Sequence, residues 1–149
     1  MANVYSIVAG RLVEVRIDAA VMTAADVDTW FNGVAAAMKQ LPAGQRGVVV
    51  ADWRRCPLMS EDAATRAAAR LTQANPYVER SAALANSDSP ITVLQFLRLC
   101  RDTNPSGNRR LFTSAPELTA WLSERLTSIE INRLNAFLHE PGRRTSVSR

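Results

Sequence analysis

The residue types that could do chemistry in this chain gather in one stretch, Asp52-Trp53-Arg54-Arg55-Cys56-Pro57-Leu58-Met59-Ser60-Glu61-Asp62. It follows the apolar, β-branched run Val48-Val49-Val50-Ala51, and Ser60 ahead of Glu61 and Asp62 reads as a helix N-cap. An acid at a strand end, guanidinium groups beside it and a helix N-terminus converging on both is how α/β sheets meet ligands and partners. The chemistry on offer is recognition, since Trp and Arg combine large contact area with polar handles. On that reading Trp53, Arg54 and Arg55 stand exposed with Glu61 or Asp62 in one docking patch around Asp52 and Ser60. The plainer reading lays Trp53 over the sheet edge and pairs Arg54 with Asp52 or Asp62.

Other reactive residues are sparse. Cys56 lies beside Arg54 and Arg55, which could lower a thiol pKa, but Pro57-Leu58-Met59 after it favours a small apolar plug. Asn86-Ser87-Asp88-Ser89 precedes Pro90 at a helix start. Ser87 and Ser89 mark a candidate anion site there, against the simpler account in which Ser89 caps and Asp88 complements the helix dipole. His139 is the single histidine and has no cysteine or carboxylate at ligand spacing, so it makes neither a zinc set nor a catalytic dyad. No nucleotide fingerprint occurs. The expectation is a non-enzymatic chain with no catalytic residue, no metal and no cofactor.

The elements that position these residues follow from periodicity and punctuation. Val4 to Val8 and Leu12 to Ile17 read as an antiparallel hairpin turned by Gly10. In the second strand Val13, Val15 and Ile17 alternate with Glu14, Arg16 and Asp18, the pattern of a half-exposed strand. Thr23 and Asp26 form a capping box for a helix with the stripe Val27, Trp30, Phe31, Val34, Met38 and Leu41, ended by Pro42-Ala43-Gly44. Val48 to Ala51 is a central strand. Ser60 caps a second helix rich in alanine, stopped at Asn75-Pro76. Arg80 to Ala85 is a strand, and Ser89-Pro90 opens a helix whose apolar positions are Val93, Leu94, Phe96, Leu97 and Cys100. After Asn104-Pro105-Ser106-Gly107-Asn108 comes a strand at Arg110 to Thr113. Two more capped helices start at Ser114 and Thr127, with Pro141-Gly142 as the stop.

The fold class is therefore α/β: one domain over residues 1–140, with a mixed five-stranded sheet that starts with an antiparallel hairpin and has helices packed over it. Residues 141–149 are expected to form a mobile basic tail, and Arg143 to Ser146 could carry a modification or bind phosphate. Of the 18 basic residues, Arg143, Arg144 and Arg149 lie in that tail, so 15 face 14 acidic ones in the body. The net charge of +4 is thus not a nucleic-acid footprint. Two distant cysteines and a start without a leader pattern point to the cytoplasm. No apolar run is long enough to span a membrane. Arginine in place of lysine, with Lys39 alone, and abundant alanine suggest a GC-rich bacterial genome.

This element order, with the acid at the third strand's end, resembles the STAS domain of bacterial anti-sigma-factor antagonists over roughly residues 3 to 126. The resemblance rests on order and position. Asp52 matches the strand-end Asp of that family. Ser60, Glu61, Asp62 and Ala63 fall on its Asp-Ser-Ser-Gly segment, so an acid replaces the phospho-acceptor serine. A nearer likeness is to STAS-like and lipid-transfer-like proteins that lack the phospho-serine. The resemblance implies a regulatory interaction domain docking a protein partner through the loop after the third strand, without a phospho-switch there, and self-association is left open. The alternative it implies is binding of a small apolar or anionic ligand. Because helix–sheet packing should consume the apolar stripes, no apolar cavity of about 300 Å³ is expected.

Overall fold

The computed structural model describes residues 3–147, with backbone alone for 141–147. The chain runs β1 (Val4–Ile7), β2 (Leu12–Arg16), α1 (Ala24–Met38), β3 (Gly47–Asp52), α2 (Glu61–Ala74), a 3-10 turn (Asn75–Tyr77) and β4 (Val78–Leu84). It continues through α3 (Pro90–Thr103), β5 (Arg109–Phe112), α4 (Ala115–Ser123) and α5 (Ser128–Val147). The sheet order is β1-β2-β3-β4-β5, with β1 antiparallel to β2 and every later pair parallel. This is the expected α/β architecture, strand for strand.

Local chemistry explains the joints. Gly10 turns the hairpin at φ +52°, and a Cβ there would also collide with the Glu130 side chain. That carboxylate accepts hydrogen bonds from Arg11 N at 2.7 Å and Thr127 N at 2.8 Å. Thr127 Oγ1 accepts in turn from Glu130 N, completing a capping box that pins the start of α5 to the hairpin. Thr23 and Asp26 form a second such box at α1.

Three crossovers stepping one way across the sheet must lay their helices on one face if they share a hand. They do: α1, α2 and α3 pack on Val13, Val15, Val49, Ala51 and Ala83. The opposite face, Leu12, Val48, Val50, Ala82 and Leu84, is covered by Leu118 and Leu122 of α4 and by Leu134, Phe137 and Leu138 of α5.

That second cover overturns the half-exposed reading of β2. Glu14 and Arg16 are each 1% exposed. The reason is a run of charges beneath α5. Arg133 forks its Nε and Nη2 onto Glu14, the latter at 2.7 Å, and its Nη1 reaches Glu140 at 2.9 Å. The hydrogen bond to Glu14 is the main reason the Arg133 guanidinium holds its proton even more tightly than usual. Glu140 lies 3.8 Å from Arg16, which meets Asp52 at 3.4 Å and stacks 4.2 Å over the Phe137 ring. Arg16 Nη2 also donates to the Phe137 carbonyl at 2.9 Å. In a regular helix that carbonyl would take the N–H four residues on, but position 141 is proline and has none.

The helix continues to Val147, beyond the stop read at Pro141-Gly142. The side chains of the expected tail at 143–149 lie outside the described residues.

The charge run has a measurable consequence. Asp52→Ala leaves the buried Arg16 with Glu140 alone, at 3.8 Å, and breaking a buried pair from one side costs about 3–5 kcal/mol. Glu124→Ala, which removes an exposed partner of Arg80, should cost under about 1 kcal/mol. Urea denaturation of both variants checks this, and equal midpoints would count against it.

Candidate functional site

The end of β3 is built inward. Asp52 is 1% exposed and accepts four hydrogen bonds: from Arg54 N (3.1 Å), Arg54 Nε (2.9 Å), Arg54 Nη2 (3.0 Å) and Arg16 Nε (3.4 Å). A carboxylate offers about four lone-pair sites, so this one is filled by the protein itself. Trp53 is 3% exposed, its ring edge-on to Trp30 at 5.7 Å and to Phe96 at 5.0 Å. Edge-to-face aromatic geometry of this kind belongs to core packing. The docking patch expected around Asp52 and Trp53 is corrected accordingly: neither residue can touch a partner, because α1 and α3 enclose the indole and Arg54 closes over the acid.

The rest of the stretch divides. Arg54 is half-buried, and besides Asp52 it donates to the Leu138 carbonyl at 2.7 Å. Arg55, Pro57, Leu58, Glu61 and Asp62 are exposed, whereas Cys56 and Met59 are buried. Ser60 caps α2 as expected, accepting from Ala63 N at 3.1 Å, and it donates to the Met22 carbonyl at 2.5 Å. Asp62 accepts from Ala24 N at 2.9 Å and so ties α2 to the start of α1. Gln95 of α3 clasps Met59 on both sides, donating to its carbonyl and accepting from its N–H at 2.9 Å each. The loop is therefore held rigidly between α1 and α3.

At the start of α3, Ser87 and Ser89 are exposed. Ser89 occupies the N-cap position but its side chain makes no cap bond, a difference from the simpler expectation. A hollow of about 250 Å³ adjoins it, walled by Arg54, Arg55, Cys56 and Thr92 among others. Ser87 is not among its lining residues.

Two surfaces were not read from the sequence. First, Leu94 and Leu97, assigned to the buried stripe of α3, are 47% and 40% exposed, and Ile91 is 72% exposed. The core side of α3 is Phe96, Leu99 and Cys100. The signal was present: apolar residues at 93, 94, 96, 97, 99 and 100 are too many for one helical stripe. Ile91, Leu94 and Leu58 line a groove of about 380 Å³ between α2 and α3, floored on the α2 side by Ala64 and Ala68 and bordered by Arg98. Second, an open cleft of about 430 Å³ lies between the C-terminal halves of α1 and α2. Phe31, Val34, Met38, Leu41 and Tyr77 line it, with Lys39 and Arg70 also in its walls. The expectation that no apolar cavity of this size exists is thereby corrected, because part of the α1 stripe faces the gap between α1 and α2.

His139 is exposed, with Nδ1 2.6 Å from the Asn135 carbonyl. Among the described residues no group of three or more His, Cys, Asp or Glu side chains could hold a metal ion, and no helix is long and apolar enough to cross a membrane. Comparison with protein-family models, with curated proteins and with solved structures finds no match for this chain.

Burial pushes both thiols, Cys56 and Cys100, up to about 12. They are therefore protonated and screened at neutral pH. Ellman's reagent at pH 8 should label neither in the native protein and both in urea, and prompt labelling of native Cys56 would show that the loop opens.

Proposed function

We propose that this chain is a STAS-like, non-enzymatic regulatory domain that docks a protein partner through the loop after β3 and the adjoining α2–α3 groove. The observation that carries the reading is the contiguous exposure of Leu58, Ile91 and Leu94 along that groove. Exposed apolar side chains grouped around a groove mark interaction sites, whereas scattered ones mean nothing. The alanines of α2 let a partner segment approach closely, and the Gln95 clasp presents Leu58 in a fixed position, which lowers the entropy cost of binding. Glu61 and Asp62 supply standing negative charge where the resembling family carries a phospho-acceptor. The cap and the Met22 contact occupy the Ser60 hydroxyl. Both features support a constitutive binder. Two free, buried cysteines suit a reducing cytoplasm.

A second reading, binding of a small apolar ligand, is supported by the α1–α2 cleft. Its volume lies within the range of about 300–1,000 Å³ that small-molecule sites occupy.

The two readings separate experimentally. The double variant Ile91→Asp/Leu94→Asp should lose the protein captured from host lysate by the wild-type chain, while Ile129→Asp, a change at another exposed apolar residue, retains it. Loss of central apolar anchors predicts a drop in affinity of about tenfold or more. Equal capture by all three would overturn the docking surface. For the cleft, a fluorescent fatty acid should bind the wild type saturably and Ala35→Trp about tenfold more weakly. A linear, non-saturating titration would dismiss that reading.

A further inference from the structure

Among the described residues, Arg11, Arg16, Arg54, Arg70, Arg80 and Arg133, each buried or half-buried, all face a carboxylate. Arg109 does not. It stands at the start of β5, 4% exposed, and makes no ion pair among the described residues. Its Nη1 donates to two neutral oxygens, Asn75 Oδ1 at 2.8 Å and Thr103 Oγ1 at 3.2 Å. Its Nε is buried with no hydrogen-bond partner. Arg54 and Arg133 show how this protein uses that side of a guanidinium, since each turns Nε and Nη2 together onto the two oxygens of one carboxylate. The same edge of Arg109 has nothing to hold.

We propose that the Nε–Nη2 edge of Arg109 is the receiving edge of a binding site for a small oxyanion, phosphate or carboxylate, where α3 closes onto β5.

The electrostatics fit. Burial weakens the hold of Arg109 on its proton, and the titratable neighbour that acts on it, Cys100, is pushed up to about 12 and stays neutral. The carbonyl end of α3 offsets part of the cost of the buried cation, and a planar oxyanion would offset the remainder through two parallel charge-assisted bonds. Asn75 is held ready: its Nδ2 donates to the Thr103 carbonyl at 2.8 Å, and Asn104 Nδ2 donates to its Oδ1 at 3.3 Å. The turn after α3 leads directly into Arg109, and Gly107 in it has φ +83° with open space around the place of its Cβ. Pro105, Ser106 and Asn108 of that turn are exposed.

The test is an NMR titration of the ¹⁵N-labelled full chain, following the Arg109 Nε–Hε resonance. Inorganic phosphate and sodium acetate are added separately, with sodium chloride at matched ionic strength. Saturable movement with phosphate or acetate and none with chloride is expected, and the tighter of the two names the source. Arg109→Lys keeps the charge but loses the edge, so binding should weaken about tenfold or more, while the exposed neighbour change Arg110→Lys leaves it intact. An Arg109 resonance unmoved by both oxyanions overturns the proposal, as does equal binding by wild type and Arg109→Lys. If Arg109→Lys fails to fold, the wild-type titration decides alone.

Discussion

The structure depends on how a carboxylate at the end of the central strand is neutralised. Asp52 lies under α5 on the sheet face that also carries the buried Glu14 and Arg16, and an unpaired charge there would be costly. It draws Arg16 from β2 and Arg54 from its own loop. Through Glu140, Arg133 and Glu14 the alternation of sign continues beneath α5. The two guanidiniums also take the carbonyls of Phe137 and Leu138. A helix at the end of the chain is thus seated by an acid in its middle. The seating is specific because a helix shifted by one residue would present the wrong carbonyls and lose both bonds.

Much of this fold was legible because local chemistry and global placement agree. Gly10, the Pro42-Ala43-Gly44 stop after α1, the capping boxes at Thr23 and Thr127, and the unbroken valines of β3 each name one element without help from distant residues. The misreadings share a physical origin. Glu14 and Arg16 alternate with valines as solvent-facing residues do, and only the arrival of Arg133 and Glu140, over a hundred residues later, turns that face into an interior. Trp53 follows the same logic, since its burial depends on Trp30 from α1 and Phe96 from α3. Local spacing cannot say which face a late helix will cover. In the candidate loop after β3, Leu58 is exposed as apolar surface, yet Asp52 and Trp53, read there as recognition residues, point inward.

Covering both faces of a five-stranded sheet with five helices leaves much of the remaining apolar area on the outer sides of those helices. α3 shows this most plainly. Its inner side meets the sheet through Phe96, Leu99 and Cys100, and its outer side still carries Ile91, Leu94 and Leu97. An outer apolar side on a helix that already has a core side adds nothing to the stability of the isolated chain. The cleft beside α1 is lined in part by Met38 and Leu41, whose side-chain ends lie close to Gly47 at the start of β3.

The resembling family and this chain share an acid at one strand end, but the shared residue type does not carry a shared role. A carboxylate serves recognition only if some of its lone pairs remain available. Asp52 spends all of about four on Arg54 and Arg16, so it cannot hold a ligand without breaking the contacts that seat α5. Glu61 and Asp62, at the start of α2 and exposed, keep lone pairs free. Asp62 gives one oxygen to the Ala24 amide and Glu61 stands in solvent, so the charge that a partner could read lies at the start of α2, not at the end of β3. On the proposed reading, recognition rests on the exposed Leu58 with acids behind it and not on the buried acid. The rigid core that consumed Asp52 and Trp53 is what holds Leu58 and α3 in register.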